Sequence, residues 1–254
     1  LIVVNDERKV SRFTLPLDNL YTKGQGGVLD ILIPFTYPQD KTVLLSYSKG
    51  SDEANHLAVV KAQFSLTAGI SDVQPVLDIA QSKDTPVHYG GKLLQIDHVT
   101  KGENAKEHAF LVTTGDGFDY REQAQVVTSQ LGKVLGFTIN GKPLAAPAFP
   151  EAPYVFTLGH RNPQGLIYIK EFDEIWSHEH GPKGGDEINI VKMGKNYGWP
   201  VVTYGKEYWG GKIGVSKPVK GYEDPIWKWI PSIAPSGMAF YNNDYFKFLK
   251  SFYH

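Results

Sequence analysis

Residues 42–49 (TVLLSYSK) set Val43, Leu45 and Tyr47 against Thr42, Leu44 and Ser46, the two-residue alternation of an extended chain. Strand-length runs of similar apolar content recur at 56–64, 92–97, 109–114, 133–139, 154–158, 166–170 and 187–192, each bounded by Gly, Pro, Asn or Asp. Only 120–134 spaces its apolar residues, Ala124, Val127, Leu131 and Val134, as a helix does, which predicts a short helical excursion between strands. The pattern as a whole predicts an all-β chain.

A longer period overlies the strands. GQGGVLDILI from Gly24, HYGGKLLQI from His88, RNPQGLIYI from Arg161 and APSGMAFY from Ala234 each pass from a polar lead-in through glycine into an apolar strand. The last lead-in glycines, Gly27, Gly91, Gly165 and Gly237, lie 64, 74 and 72 residues apart, longer than the ~40–50 residues of WD40 or kelch blades. The first three copies are followed by a second strand that runs into polar residues, LLSYS from Leu44, FLVTTGD from Phe110 and EIWSHEH from Glu174, as in a four-stranded propeller blade. This predicts a β-propeller of about four blades in one domain spanning 1–254, partial at both ends.

Composition narrows the function. Lys+Arg 26 against Asp+Glu 27 leaves a net charge of −1, so no general basic field exists for nucleic acid or an anionic membrane surface. No apolar run approaches the ~18 residues of a membrane helix, so no span is expected. The absence of cysteine excludes disulfides, thiolate-ligated metals and a thiol nucleophile. The chain starts at Leu1 with no basic segment and apolar stretch ahead of it, so no signal peptide is visible.

If the glycine-led strands are the innermost strands of their blades, their lead-ins meet at one mouth of the central channel, gathering Gln25, His88, Arg161, Asn162 and Ser236. An amide, an imidazole and a guanidinium there suit a polar, anionic ligand, with His88 able to move a proton near neutral pH. The competing reading makes them turn residues that cap strand ends. Residues 176–200 hold His178 and His180 around Glu179, with Asp186 and Glu187 nearby, a set that raises a zinc or iron site but matches no common zinc spacing. Glu187 with carbonyls freed by the Gly-Pro and Gly-Gly turns suits calcium better; otherwise the turn is a solvated loop. Of the aromatics Tyr204, Tyr208, Trp209, Tyr222 and Trp227, one or two are expected to stack on a planar cofactor or sugar and the rest to pack in the core.

FTLGHRNPQGL (156–166), HEHGPKGGDEIN (178–189), GKNYGWPVVTYG (194–205) and PSIAPSGMAFY (231–241) together resemble the soluble PQQ-dependent aldose and glucose dehydrogenases, which are six-bladed propellers. The resemblance implies oxidation of an aldose at its anomeric carbon, with hydride passing to PQQ and then to an external electron acceptor, in the periplasm or outside the cell. It implies His88 as general base, Arg161 and Asn162 on the quinone oxygens, and Gln25 and Tyr208 as further PQQ contacts. For calcium it implies the carbonyls of Gly181 and Pro182 at the cofactor-bound ion, and Glu187 with the neighbourhood of Tyr197 at another site. It also implies that the cations facing the PQQ carboxylates belong to chain beyond His254, which would leave these 254 residues a poor enzyme. Two segments depart from the family pattern, the loop 99–108 and the stretch after Gly115, so the sugar is not carried over. A calcium-stabilised propeller that binds sugars or a partner without turnover is the alternative. A lactonase-like hydrolase would need a carboxylate-lined metal at the channel centre, where the lead-ins supply Gln, His and Arg.

Overall fold

The computed structural model describes residues 1–99, 106–243 and 245. A hairpin of β1 (Ile2–Val4) and β2 (Val10–Arg12) leads into three four-stranded antiparallel sheets, each a meander in chain order. The first holds β3 (Val28–Leu32), β4 (Thr42–Gly50), β5 (Asn55–Ser65) and β6 (Gly69–Asp78). The second holds β7 (Gly90–Val99), β8 (Lys106–Thr114), β9 (Lys133–Thr138) and β10 (Val155–Leu158), and the third β11 (Pro163–Ile169), β12 (Glu174–Glu179), β13 (Asp186–Val191) and β14 (Trp227–Trp229). The leading strands stand side by side, β7 packing against both β3 and β11, as the inner strands of propeller blades do.

The repeat seen in the glycines is physical. Each leading strand pairs with its neighbour through a register shift at its start, between Val28 and Asp30, between Gly90 and Leu93, and between Pro163 and Gly165. A bulge at each entry turns the lead-in away from the ladder and aims it at the same end of the sheets. At Gly165 the need for glycine is steric, since a Cβ would stand 2.2 Å from the His178 ring that lies across it.

The core lies between the sheets. Phe110 and Val112 of β8 pack with Leu44, Leu57 and Val59 of the first sheet, while Ala109 and Leu111 pack with Leu166 and Val191 of the third. A sheet buried on both faces needs apolar residues at every position, which is why β8 reads AFLV without alternation. On the far face of the first sheet Leu15 and Leu17 of the N-terminal segment cover Leu45, Tyr47, Ala58 and Val60. Truncating a fully buried residue such as Leu111 costs roughly 2–5 kcal/mol.

Two expectations change. The helix-spaced residues of 120–134 are inward-facing, but only Arg121–Gln125 coils, as a 3₁₀ turn, and Val134 already belongs to β9. Of about four expected blades, three complete sheets form: Met238 to Tyr241, the strand of the fourth copy, lies in no sheet. The divergent loop 99–108 lies largely outside the described residues.

Candidate active site

His88 sits in the lead-in to β7 at φ 56°, a left-handed conformation uncommon for a residue with a side chain. Gly115, at the exit of β8, makes room for it: a Cβ there would lie 2.1 Å from the His88 carbonyl oxygen. The His88 backbone N–H donates to Gln25 Oε1 at 2.8 Å, so the lead-in of the first sheet holds that of the second.

The imidazole is oriented by Asp116. His88 Nδ1 lies 2.7 Å from Asp116 Oδ1. The same oxygen accepts the Phe118 N–H at 2.8 Å, and Oδ2 accepts the Trp199 indole N–H at 2.7 Å. A carboxylate surrounded by donors acts only as an acceptor, which places the ring proton on Nδ1 and leaves the lone pair on Nε2. Burial holds the His88 imidazole below its ordinary value, while the hydrogen bond and charge of Asp116 pull the other way. The ring is therefore neutral and basic at neutral pH.

Arg161, in the lead-in to β11, is 4% exposed. Its Nη1 donates to the carbonyls of His180 at 3.0 Å and Gly181 at 2.7 Å, its Nη2 donates to the Tyr208 hydroxyl at 3.2 Å, and its guanidinium lies 5.4 Å from the Trp199 ring. Among the described residues the guanidinium pairs with no carboxylate. Glu179 is spent on the backbone, accepting the Arg161 N–H at 2.5 Å and facing His160 Nδ1 at 3.1 Å. A buried cation bonded only to neutral groups favours an anion beside it.

His88, Arg161 and Tyr208 line one cavity of about 240 Å³, together with Asp116, Phe118, Asp119, Arg121, Pro182, Trp199, Glu207 and Ile213. Gln25 and Asn162 line a separate cavity of about 230 Å³ with Gln164 and His180. The five residues expected at one mouth thus divide: two face the first cavity, two the second, and Ser236 is exposed and lines neither. Asn162 Oδ1 accepts the Gly90 N–H at 3.2 Å, which ties the third lead-in to the second.

Glu187 lies directly across the ladder from Glu179. Both line a small cavity of about 10 Å³ with Gly181, Gly185, Tyr197 and Thr203. Burial pushes the Glu187 carboxyl well above the usual carboxylate range, and the charge of Glu179 adds to the shift. Asn189 Nδ2 reaches these carboxylates only at 3.4 and 3.5 Å. Arg161 lines the same space and Glu179 is already engaged, so Glu187 with nearby backbone carbonyls is the part of this lining that suits a hard cation. No cluster of three or more His, Asp and Glu suited to a metal occurs among the described residues, so carbonyls and water would complete any shell. His178 lies on Gly165 and His180 Nε2 on the Pro235 carbonyl at 2.6 Å, so neither turns toward a shared ion.

The sequence reading missed Asp116, Phe118, Arg121 and Glu207, and it gave Glu179 and Trp199 no part in holding His88 or Arg161. The available signal for Asp116 was its place in Gly-Asp-Gly straight after an apolar strand, at the mouth where the lead-ins end. The other five carry no local pattern, because packing between sheets brings them in.

A family model of glucose / sorbosone dehydrogenases matches residues 1–253. The chain is similar to the aldose sugar dehydrogenase YliI of Escherichia coli, 36% identical over 236 residues, covering 90% of this chain and 61% of the relative. It superposes on the crystal structure of the apo-form of the soluble E. coli aldose sugar dehydrogenase with a TM-score of 0.85 at 33% identity, over 97% of this chain and 70% of that one. The PQQ-bound form of an aldose sugar dehydrogenase from Streptomyces coelicolor gives a TM-score of 0.69 at 26% identity, over 87% of this chain and 59% of that one. The chain spans about three fifths of the length of the curated relatives it matches.

Proposed function

Since the chain belongs to the glucose / sorbosone dehydrogenase family, we propose that it serves a PQQ-dependent oxidation of aldose sugars at the anomeric carbon. The observation that carries this reading is one cavity holding a neutral imidazole, fixed by a buried carboxylate, and a buried guanidinium that pairs with no carboxylate among the described residues. A pure binding module has no need of an oriented base.

His88 Nε2 accepts the proton of the C1 hydroxyl while the C1–H bond breaks with its electron pair, leaving the lactone. When bound, PQQ supplies the two-electron acceptor for that hydride. Asp116 stabilises the imidazolium that forms, and the Trp199 bond keeps Asp116 from turning away. Arg161 presents positive charge to the anionic cofactor and to the negative charge that grows during the transfer. Asn162, Gln25 and Tyr208 complete the contacts in this reading. The carbonyls of Gly181 and Pro182 would hold a cofactor-associated calcium, although Gly181 already accepts from Arg161, and Glu187 with the neighbourhood of Tyr197 would hold a structural one. The electrons pass on to an external acceptor, and the proposed compartment is the periplasm or the exterior.

The deciding experiment is titration of the purified chain with PQQ and calcium, followed by dye-linked oxidation of an aldose panel. Oxidation should appear only with PQQ, and in a full-length version of the protein His88→Ala should lower kcat by about 10²- to 10⁴-fold while PQQ still binds. PQQ binding without turnover of any aldose would favour the binding-module alternative.

A further inference from the structure

Arg121 opens the 3₁₀ turn after β8, and Glu207 stands in the long connection between β13 and β14. Arg121 Nη1 nonetheless donates to Glu207 Oε1 at 2.7 Å, so the pair bridges the second and third sheets. Both residues line the His88 cavity. Their side chains are 37% and 22% exposed, and an ion pair this open to water adds little stability. Its position is what matters. Arg121 Nη2 and Glu207 Oε2 make no hydrogen bond among the described residues, so the bridge keeps both donor and acceptor capacity at the cavity wall.

The surrounding wall fits a sugar. Phe118 stands edge-on to His88 at 5.2 Å and stacks on Tyr208 at 6.3 Å, an apolar strip of the kind that packs on the C–H face of a pyranose. The cation Arg161 stands at the Tyr208 end of this strip, while Asp119 and Glu207 line the cavity around Arg121, whose Nε lies 3.4 Å from Glu122. A vicinal diol donates to one partner and accepts from the other. A sugar carboxylate can only accept: it takes a guanidinium N–H but stands against the Glu207 carboxylate with no proton to offer it.

We propose that Arg121 and Glu207 form the subsite that reads the aldose hydroxyls remote from C1, and that Glu207 makes this subsite select neutral aldoses over uronic acids. The inference rests on the aldose-oxidation reading above, which leaves the sugar open.

The test compares glucose with glucuronate on the full chain loaded with PQQ and calcium, in wild type, Glu207→Gln, Arg121→Gln and the swapped pair Arg121→Glu with Glu207→Arg. In parallel, tryptophan fluorescence of the unloaded protein gives a Kd for each sugar without turnover. Glu207→Gln should raise the glucuronate-to-glucose ratio of kcat/KM about tenfold, mostly through KM, because it removes the carboxylate that repels the uronate. Arg121→Gln should weaken glucose about tenfold with no gain for glucuronate, and the swapped pair should recover most of the preference for glucose. The Kd ratios should move in the same direction. A correctly melting Glu207→Gln variant whose ratios stay within threefold of wild type would overturn the proposal. If the loaded wild type oxidises no aldose, the functional reading fails, and the Kd ratios alone decide the subsite: a tenfold shift upholds it and no shift overturns it.

Discussion

Asp116 carries more of the site than its size suggests. It is fully buried, yet its two oxygens meet a ring nitrogen, a backbone N–H and an indole N–H. Asp116→Asn keeps the shape but presents an amide whose own N–H can turn toward the imidazole, so His88 loses its fixed tautomer. We expect kcat to fall about 10²- to 10⁴-fold with little change in PQQ affinity. The pH profile adds a signed check. A base acts only when unprotonated, so kcat/KM falls as pH drops through the His88 pKa, which burial already sets below the ordinary imidazole value. Because Asp116 raises that pKa, its removal should move the acid limb of residual activity to lower pH. An acid limb that stays in place would mean that another group controls it.

Among the elements, the turn after β8 is held from beneath by a lysine. Lys133, at the start of β9, is fully buried and donates to the carbonyls of Gln123, Ala124 and Leu131 at 2.8, 3.0 and 2.7 Å. Two of these, Gln123 and Ala124, are carbonyls of the 3₁₀ turn that carries Arg121. Lys133→Met keeps the volume and strands the acceptors, a loss of about 3 kcal/mol that a urea midpoint will read. Burial lowers the Lys133 pKa to about 7. The unfolded chain therefore binds more protons than the folded one between there and the ordinary lysine range, and this residue makes stability rise with pH across that window. The rise should flatten in Lys133→Met. The same elements show what a sequence can reveal. Leading strands were legible because glycine, bulge and apolar run recur together. β6 was not, since Asp72 at φ 48° and Pro75 interrupt its alternation and its pairing with β5 shifts register twice. The lead-in residues of the site were legible because the repeat superposes them. Asp116 and Glu207 were not, because their meaning comes from which sheet lands beside which.

At the scale of the whole molecule, Glu187 is the place where an ion would matter most. If calcium neutralises it, chelation removes a ligand that only the folded state binds; loss of an ion present at about a hundred times its Kd costs ~2.7 kcal/mol, or roughly 5–10 °C of melting temperature for a chain this long. An unchanged melt with chelator, together with an unchanged melt for Glu187→Gln, would rule out a structural calcium there. The site itself is shared across a seam. His88 and Asp116 belong to the second sheet, whereas Arg161 and Trp199 come from the third and its long connection, and the Asp116 to Trp199 hydrogen bond crosses between them. Each sheet is a meander of near neighbours, able to form from contacts close in sequence, while the junction requires residues 83 apart to meet. This sets an order of assembly: on refolding, β-structure seen by circular dichroism should return before Trp199 regains its native fluorescence. Catalytic competence should keep time with the indole.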